Sequence, residues 1–219
     1  MATRQVLADL ADDYRRRAGV LVEFESAGGV DAARRVQAGE PFDVVVLAAD
    51  AIDRLVAAGR VVAGSRTDLA RSAVAIAVRA GAQPPAVDSE DALRRAVLSA
   101  RSLGYSTGPS GVALARLFER WGIAAAIRDR LVQAPPGVPV GTLLARGEVE
   151  LGFQQLSELM HLDGVAVLGP MPRGCEIVTV FSAGLCTASP RAEAVRALLA
   201  FLRSPEAGPA KRRNGMEPA

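Results

Sequence analysis

The sequence has few of the side chains that metal sites and nucleophilic catalysis require. Its 219 residues include one histidine, His161, and two cysteines, Cys175 and Cys186. A metal ion needs several closely placed ligands, and a Ser-His-Asp triad needs a histidine held by a buried acid. We therefore predict no metal site, no triad and no cofactor. For the two cysteines, a disulfide and a pair of buried free thiols are both open.

Long apolar runs and a strong charge imbalance are also lacking. Half of the residues are hydrophobic, but no apolar run reaches the roughly 18 residues of a membrane-spanning helix. The formal net charge is +2, and lysine occurs once, as Lys211. Such a balance argues against a nucleic-acid surface. We expect a monomer with no nucleic-acid partner and no membrane insertion.

The first residues do not have the form of a secretion signal. Residues 1–10 are interrupted by polar side chains and predict the start of a helix. The apolar stripe of this helix is formed by Val6, Leu7, Leu10 and Tyr14. As written, the chain is expected in the cytoplasm. It is expected in the periplasm if an N-terminal signal has been removed from a longer form.

Helices and strands alternate along the chain. Strands are predicted at 20–25, 43–47, 72–78, 102–105, 131–133, 149–153, 165–168 and 177–184. The main helices are predicted at 4–18, 89–100, 112–121, 140–146, 191–202 and 204–213, and a further helix capped by Asp50 contains Ile52, Leu55 and Val56. Several strands are nearly continuous apolar runs, which is typical of parallel strands buried on both faces. The alternation predicts an α/β fold with mainly parallel sheets flanked by helices.

Two breaks divide the chain. Pro84-Pro85 follows the strand at 72–78, and a turn rich in glycine and proline covers 169–174. The simplest arrangement is two lobes joined by two crossings. We predict a first lobe of residues 1–82 together with 177–219, and an inserted second lobe of residues 83–176. A cleft is expected between the two lobes.

The most informative segment is the turn at residues 104–111, GYSTGPSG. It lies between a predicted strand and an amphipathic helix, and the N–H groups at a helix start attract anions. The turn has no lysine, so it is not a nucleotide-binding P-loop. Its candidate ligand-binding residues are Tyr105, Ser106, Thr107 and Ser110. The alternative is that Gly108-Pro109 is only a tight turn and that Ser110 is only an N-cap.

Further polar residues flank other predicted strands, and ligands of open α/β sheets bind beyond the carboxyl ends of strands. Ser26 and Gly28 follow the strand at 20–25. Arg71 precedes the strand at 72–78, where it can either pair with a carboxylate or lie on the surface. Gln154 and Gln155 are adjacent, so they point to opposite faces of a strand and at most one faces the cleft. Gln154 is the candidate, and no catalytic residue is identified.

Several segments together resemble one family. Residues 39–59, GEPFDVVVLAADAIDRLVAAG, are similar to a strand-to-helix segment of the type II periplasmic binding proteins, in particular the molybdate-binding-like branch. Residues 147–155, GEVELGFQQ, are similar to the strand that closes their cleft. The tail SPEAGPAKRRNGMEPA resembles their closing helix and terminal G-[MF]-x-P pattern. The resemblance implies two α/β lobes that close by a hinge on a small anionic solute, a carboxylate or an oxyanion, with an ABC permease as partner.

Part of the same branch also resembles bacterial aconitate isomerases, which are enzymes built on the binding-protein scaffold. A binding protein is the main interpretation, because an isomerase needs a base near a carbon acid and the polar turns contain no histidine or lysine. Isomerisation of a small tricarboxylate is the alternative. Interconversion of cis- and trans-aconitate discriminates between the two functions.

The chain departs from this family in two places. The family begins with a strand and a ligand loop before its first helix, whereas here the first helix begins almost at Met1. We expect either a shortened form of a longer protein or another segment in the place of that strand, beside 20–24 and 44–47. The residues 153–155, Phe-Gln-Gln, replace the family's V-Y near the end of the cleft strand. This replacement favours a carboxylate ligand over a tetrahedral oxyanion.

Overall fold

The computed structural model of the chain describes residues 2–135 and 137–219. They form two compact units, one of Met1–Ser72 with Thr179–Ala219 and one of Ala73–Val178. The chain therefore passes between the units twice, at Ser72–Ala73 and at Val178–Thr179. Each unit has helices and a hydrophobic core of its own.

Helices and strands alternate through both units. The helices are α1 Arg4–Ala18, α2 Gly29–Gln37, α3 Ala49–Ala57, α4 Glu90–Ser99, α5 Pro109–Arg120, α6 Ala124–Ile127, α7 Val140–Ala145, α8 Leu156–Leu159, α9 Ala192–Arg203 and α10 Gly208–Arg213. The strands are β1 Val44–Ala48, β2 Thr67–Arg79, β3 Leu103–Tyr105, β4 Leu131–Gln133, β5 Leu151–Gln155, β6 Val165–Pro170, β7 Val178–Leu185 and β8 Glu217–Pro218. Short 3-10 helices lie at Arg128–Arg130 and Pro205–Ala207.

The first unit packs helices on both faces of β1. This strand pairs antiparallel with β7, from Val44 opposite Leu185 onward, and the start of β2 pairs with β8. On one face, the apolar stripe of α1 is buried in a cluster with residues of α9, which confirms the amphipathic helix predicted there. On the other face, residues of α2 and α3 cover Val45 and Leu47.

The second unit is built on a sheet with helices on each side. β3 pairs parallel with β4 and β5, whereas β2 pairs antiparallel with β5 and β6. Residues of α4 and α5 pack on one face and residues of α7 on the other. The strands β3, β4 and β5 pair in parallel and follow one another through helical crossovers. The α/β class is confirmed, and its sheets are mixed rather than mainly parallel.

The predicted strand at 20–25 is wrong, because these residues form no strand in the described structure. Val20 and Leu21 are 42% and 67% exposed, while Val22 and Phe24 pack partly against the core of the first unit. The alternating apolar residues of this segment therefore pack against the core, although the segment does not pair with a strand. An ion pair between Arg35 and Glu25 holds the segment on α2. Of the two segments expected in the sheet, 44–47 lies there and 20–24 does not.

The first passage between the units lies inside β2. From Val74 onward this strand pairs with β5 and β6, so residues 73–82 belong to the second unit. The division drawn from the sequence assigns the same residues to the first lobe. The difference arises because a break at Pro84-Pro85 is visible in the sequence, whereas a change of pairing partner along one continuous strand is not.

Both cysteines are buried free thiols, Cys175 in the second unit and Cys186 in the first. Burial raises the pKa of each thiol to about 11. Both are therefore uncharged near neutral pH and unreactive as nucleophiles. Of the two states left open by the sequence, the structure has the free thiols.

Candidate functional site

The polar turn after β3 brings two hydroxyl groups together at the start of α5. The Ser106 and Ser110 hydroxyl oxygens lie 3.0 Å apart and share a hydrogen bond. Gly108 is the N-cap residue and Pro109 opens the helix, so the alternative in which Ser110 is the N-cap is wrong. Ser110 instead lies within the first turn of α5, and only 5% of it is exposed.

Gly111 allows the turn to fold this tightly. A Cβ atom at this position would lie 1.9 Å from the Ser106 carbonyl oxygen, which no side chain can tolerate. The Gly111 N–H donates to the Gly108 carbonyl at 3.0 Å, which fixes the turn on the helix. The first N–H groups of a helix carry partial positive charge. The turn therefore places a pair of hydroxyl groups at the N-terminus of a 12-residue helix.

The other two candidates of this turn differ in exposure. Thr107 is exposed at the tip. Tyr105 is half-buried and packs against the core of the second unit, and its carbonyl accepts a hydrogen bond from the Ala134 N–H at 2.9 Å. Contact of either side chain with a ligand stays a prediction.

The two glutamines at the end of β5 are both 3% exposed and serve different faces of the sheet. The Gln154 Oε1 accepts a hydrogen bond from the Val140 N–H at 2.7 Å, so this side chain is engaged with the start of α7. Gln155 shares its face with Phe153, whose ring packs edge-on against Phe118 of α5 at 6.2 Å between centroids. Gln155 therefore lies on the sheet face that α5 covers, the helix that contains Ser110. Gln154, the candidate chosen from the sequence, lies on the face that α7 covers.

Glu158 is a functional candidate that sequence reasoning did not find. It lies in α8, directly after β5, and burial raises the pKa of its carboxyl group. Gln154 is its hydrogen-bonding neighbour. Burial of this side chain depends on how α8 folds against α7 and β5, so no local sequence signal indicates it.

The remaining candidates lie in the first unit. Ser26 is exposed, Gly28 is the N-cap residue of α2, and Arg71 is exposed on β2 opposite Glu217 of β8. Ser26 and Gly28 adjoin the start of a nine-residue helix. The ligand-binding roles of all three stay predictions.

The described residues were also searched for clusters of metal ligands and for membrane-spanning helices. Within residues 2–135 and 137–219, no group of three or more His, Cys, Asp or Glu side chains is placed to hold a metal ion. In the same part of the chain, no helix is long and apolar enough to cross a bilayer. His161 is exposed.

Comparison with known proteins finds relatives in sequence and many neighbours in structure. The chain is 37% identical to an aconitate isomerase from Pseudomonas sp over 97% of its own length and 83% of the relative's. It is 30% identical to the molybdate-binding protein ModA of Azotobacter vinelandii over 72% of its length and 62% of the relative's. The fold matches the periplasmic molybdate-binding protein of Azotobacter vinelandii with a TM-score of 0.81 at 18% identity, covering 98% of this chain and 95% of that one.

These similarities agree with the resemblance seen in the sequence. The family described as bacterial extracellular solute-binding protein matches residues 1–217, which is nearly the whole chain. The structural neighbour supports the fold, and the relatives support the molybdate-binding-like branch. The chain belongs to the bacterial extracellular solute-binding protein family.

Proposed function

We propose that this protein binds a small anionic solute at the turn between β3 and α5. The observation that carries the proposal is the hydroxyl pair of Ser106 and Ser110 at the N-terminus of α5. One hydroxyl proton is used between the two serines, and the other is available to a ligand. The helix N-terminus adds a positive field at the same place.

The turn holds no charged side chain, which bears on the kind of anion. Residues 104–111 are all neutral, so the charge of the ligand is met by hydroxyl and backbone dipoles rather than by an ion pair. The relatives carry the names aconitate isomerase and molybdate-binding protein, so both a tricarboxylate and an oxyanion are consistent with membership of the family. The greater identity and coverage of the aconitate isomerase favour a carboxylate.

A thermal-shift screen tests the class of ligand. We expect di- and tricarboxylates, with trans-aconitate among them, to raise the melting temperature of the full chain through mass action. Molybdate and sulfate are expected to have a smaller effect, and neutral sugars none. Stabilisation by sugars alone would contradict the proposal.

The family description supports two further proposals. We propose that the protein acts in the periplasm, because its family is described as extracellular. We also propose that it delivers its solute to an ABC permease. Retention of the purified protein by membranes that contain such a permease, only when the solute is present, tests the second proposal.

We also propose three ligand residues in the first unit, Ser26, Gly28 and Arg71. Alanine variants of these residues in the thermal-shift screen test this proposal.

Isomerase activity is a second candidate function, favoured by the 37% identity with an aconitate isomerase. The step needs no oxidant or reductant. A carboxylate takes a proton from the CH₂ carbon of the tricarboxylate, the C–H electrons enter the allyl system, and the proton returns at the other end as the double bond shifts. Glu158 is a candidate for this base, because it is a half-buried carboxylate of α8 directly after β5, and burial raises its pKa.

Proton NMR of a mixture with cis- or trans-aconitate tests this candidate. Interconversion by the wild type and its loss in Glu158→Gln would support the isomerase. The matched control is Glu148→Gln, which changes an exposed glutamate of the same unit. A wild type that binds aconitate without interconverting the isomers would show a binding protein and exclude the isomerase.

A further inference from the structure

The segment that leads the chain out of the second unit is fixed at both of its ends. This segment, the return connection, comprises residues 171–177, between β6 and the passage to the first unit. The Met171 N–H donates to the Val74 carbonyl at 3.2 Å, and the Val74 N–H donates to the Ile177 carbonyl at 2.8 Å. Both ends therefore rest on β2. The middle of the connection has partners from α4 and α5.

Glu90, in the first turn of α4, is the centre of these contacts. Its Oε1 accepts hydrogen bonds from Trp121 Nε1 at 2.6 Å and from Arg120 Nη2 at 2.8 Å. The same Arg120 nitrogen donates to the Gly174 carbonyl at 3.0 Å. Glu90 thus links the start of α4, the end of α5 and the return connection.

Gly174 fits this arrangement only as a glycine. Its φ of +94° lies in the left-handed region, and a Cβ atom would lie 3.2 Å from Glu90 Oε2. Its N–H donates to Glu176 Oε2 at 2.8 Å. The backbone at this position is therefore held from two sides, by Glu176 through its N–H and by Arg120 through its carbonyl.

α5 connects these contacts to the anion-binding turn. Its 12 residues span about 18 Å, with Ser110 in the first turn and Arg120 in the last. Leu114, Leu117 and Phe118 are buried along one side of it. Because a helix packed in this way moves as a unit, a shift of its first turn on binding an anion displaces Arg120 and Trp121 as well.

We propose that Glu90 is a positioning residue that couples anion binding at the first turn of α5 to the order of the return connection. The coupling rests on the proposed function, because it needs an anion at the turn that contains Ser106 and Ser110. Coupling between two sites is reciprocal. If a bound anion stabilises the return connection, loosening that connection weakens anion binding by the same factor.

Amide hydrogen exchange across residues 171–177 of the full chain tests the coupling, with trans-aconitate as the probe. Saturating trans-aconitate is expected to slow exchange at these amides in the wild type. In Glu90→Ala, exchange without the anion is expected to be about tenfold faster, because local opening costs less. In this variant, trans-aconitate is expected no longer to slow exchange at these amides. Its affinity is expected to fall by the factor by which it slows exchange in the wild type.

Two further variants make the test specific. Glu90→Gln keeps an acceptor for Trp121 and is expected to fall between Glu90→Ala and the wild type. Glu119→Ala, which changes an exposed glutamate of α5 next to Arg120, is the control and is expected to behave as wild type.

The outcomes separate this coupling from the proposed function. Unchanged exchange at residues 171–177 in Glu90→Ala would overturn the coupling, as would faster exchange throughout the second unit. An anion that binds the wild type without affecting these residues would overturn the coupling alone. Failure of trans-aconitate to bind the wild type would overturn the carboxylate function and, with it, this coupling.

Discussion

At the scale of residues, the candidate site centres on the hydrogen bond between the Ser106 and Ser110 hydroxyl groups. Polar small residues between a strand and a helix are visible in the sequence, and they predicted both serines. The sequence also indicates that Gln154 and Gln155 point apart. It cannot indicate which of them shares a face with α5, because that depends on the side of the sheet to which the helix returns.

At this scale we predict that Gly111→Ala disrupts the turn. The new methyl group would lie 1.9 Å from the Ser106 carbonyl oxygen, so the backbone of the turn must move and the hydroxyl pair separates. Overpacking of this kind lowers stability by about 1–3 kcal/mol. Calorimetric titration with trans-aconitate is expected to show a loss of affinity of about tenfold or more, as the loss of one to two charge-assisted hydrogen bonds implies.

The control for this prediction is Val112→Ala at the next position, which is 53% exposed. It is expected to keep wild-type affinity and nearly wild-type stability. Wild-type affinity in Gly111→Ala would show that the turn does not form the site.

At the scale of elements, local signals predicted those segments whose packing they determine. The stripe of α1 and the helix predicted at 89–100, which the structure has at Glu90–Ser99, follow the sequence directly. The segment 20–25 does not, because alternation predicts a half-buried extended segment but not a partner to pair with. Burial of Glu158 likewise depends on contacts between elements that are distant in sequence.

The contacts around Asp68 predict a pH dependence of stability. The Asp68 carboxylate accepts a hydrogen bond from Ser182 of β7 at 2.7 Å and pairs with Arg66, and these contacts lower its pKa. A carboxyl whose pKa is lower in the folded state stabilises the fold above its unfolded value, near 3.8, and the contribution disappears as pH falls through the folded pKa. The stabilisation is therefore full at pH 7 and reduced at pH 3.

Urea unfolding of wild type and Asp68→Asn at pH 7 and pH 3 measures this effect. We expect the variant to be less stable at pH 7 and the difference to shrink at pH 3. Asp163→Asn, at an exposed aspartate, is the control and is expected to show no such change. An equal difference at both pH values would contradict the role of the Asp68 carboxylate.

At the scale of the whole molecule, the chain forms two units, each with a separate buried core. The sequence predicted such a division and the family to which the chain belongs. The sequence-based boundary follows residue 82, whereas the chain passes between the units at Ser72–Ala73, within β2. Two prolines are a local signal, but a change of pairing partner along one strand leaves no such signal.

The separate cores predict that a cavity in one unit loosens that unit first. Leu10 of α1 is 1% exposed in the first unit, and Leu93 of α4 is fully buried in the second. Replacement of either leucine by alanine is expected to cost about 2–5 kcal/mol. Hydrogen exchange should rise mainly in the first unit for Leu10→Ala and mainly in the second for Leu93→Ala, and an equal rise in both units for each variant would contradict separate cores.

The most direct test of the central claim is a calorimetric titration of the wild type, Ser110→Ala and Ser99→Ala with trans-aconitate. Ser110→Ala removes one hydroxyl of the pair at the start of α5, whereas Ser99 is exposed at the end of α4 and serves as the control. The account predicts binding to the wild type and the control with equal affinity, and a loss of about tenfold in Ser110→Ala. Equal affinity for all three proteins would contradict the claim that this turn binds the anion.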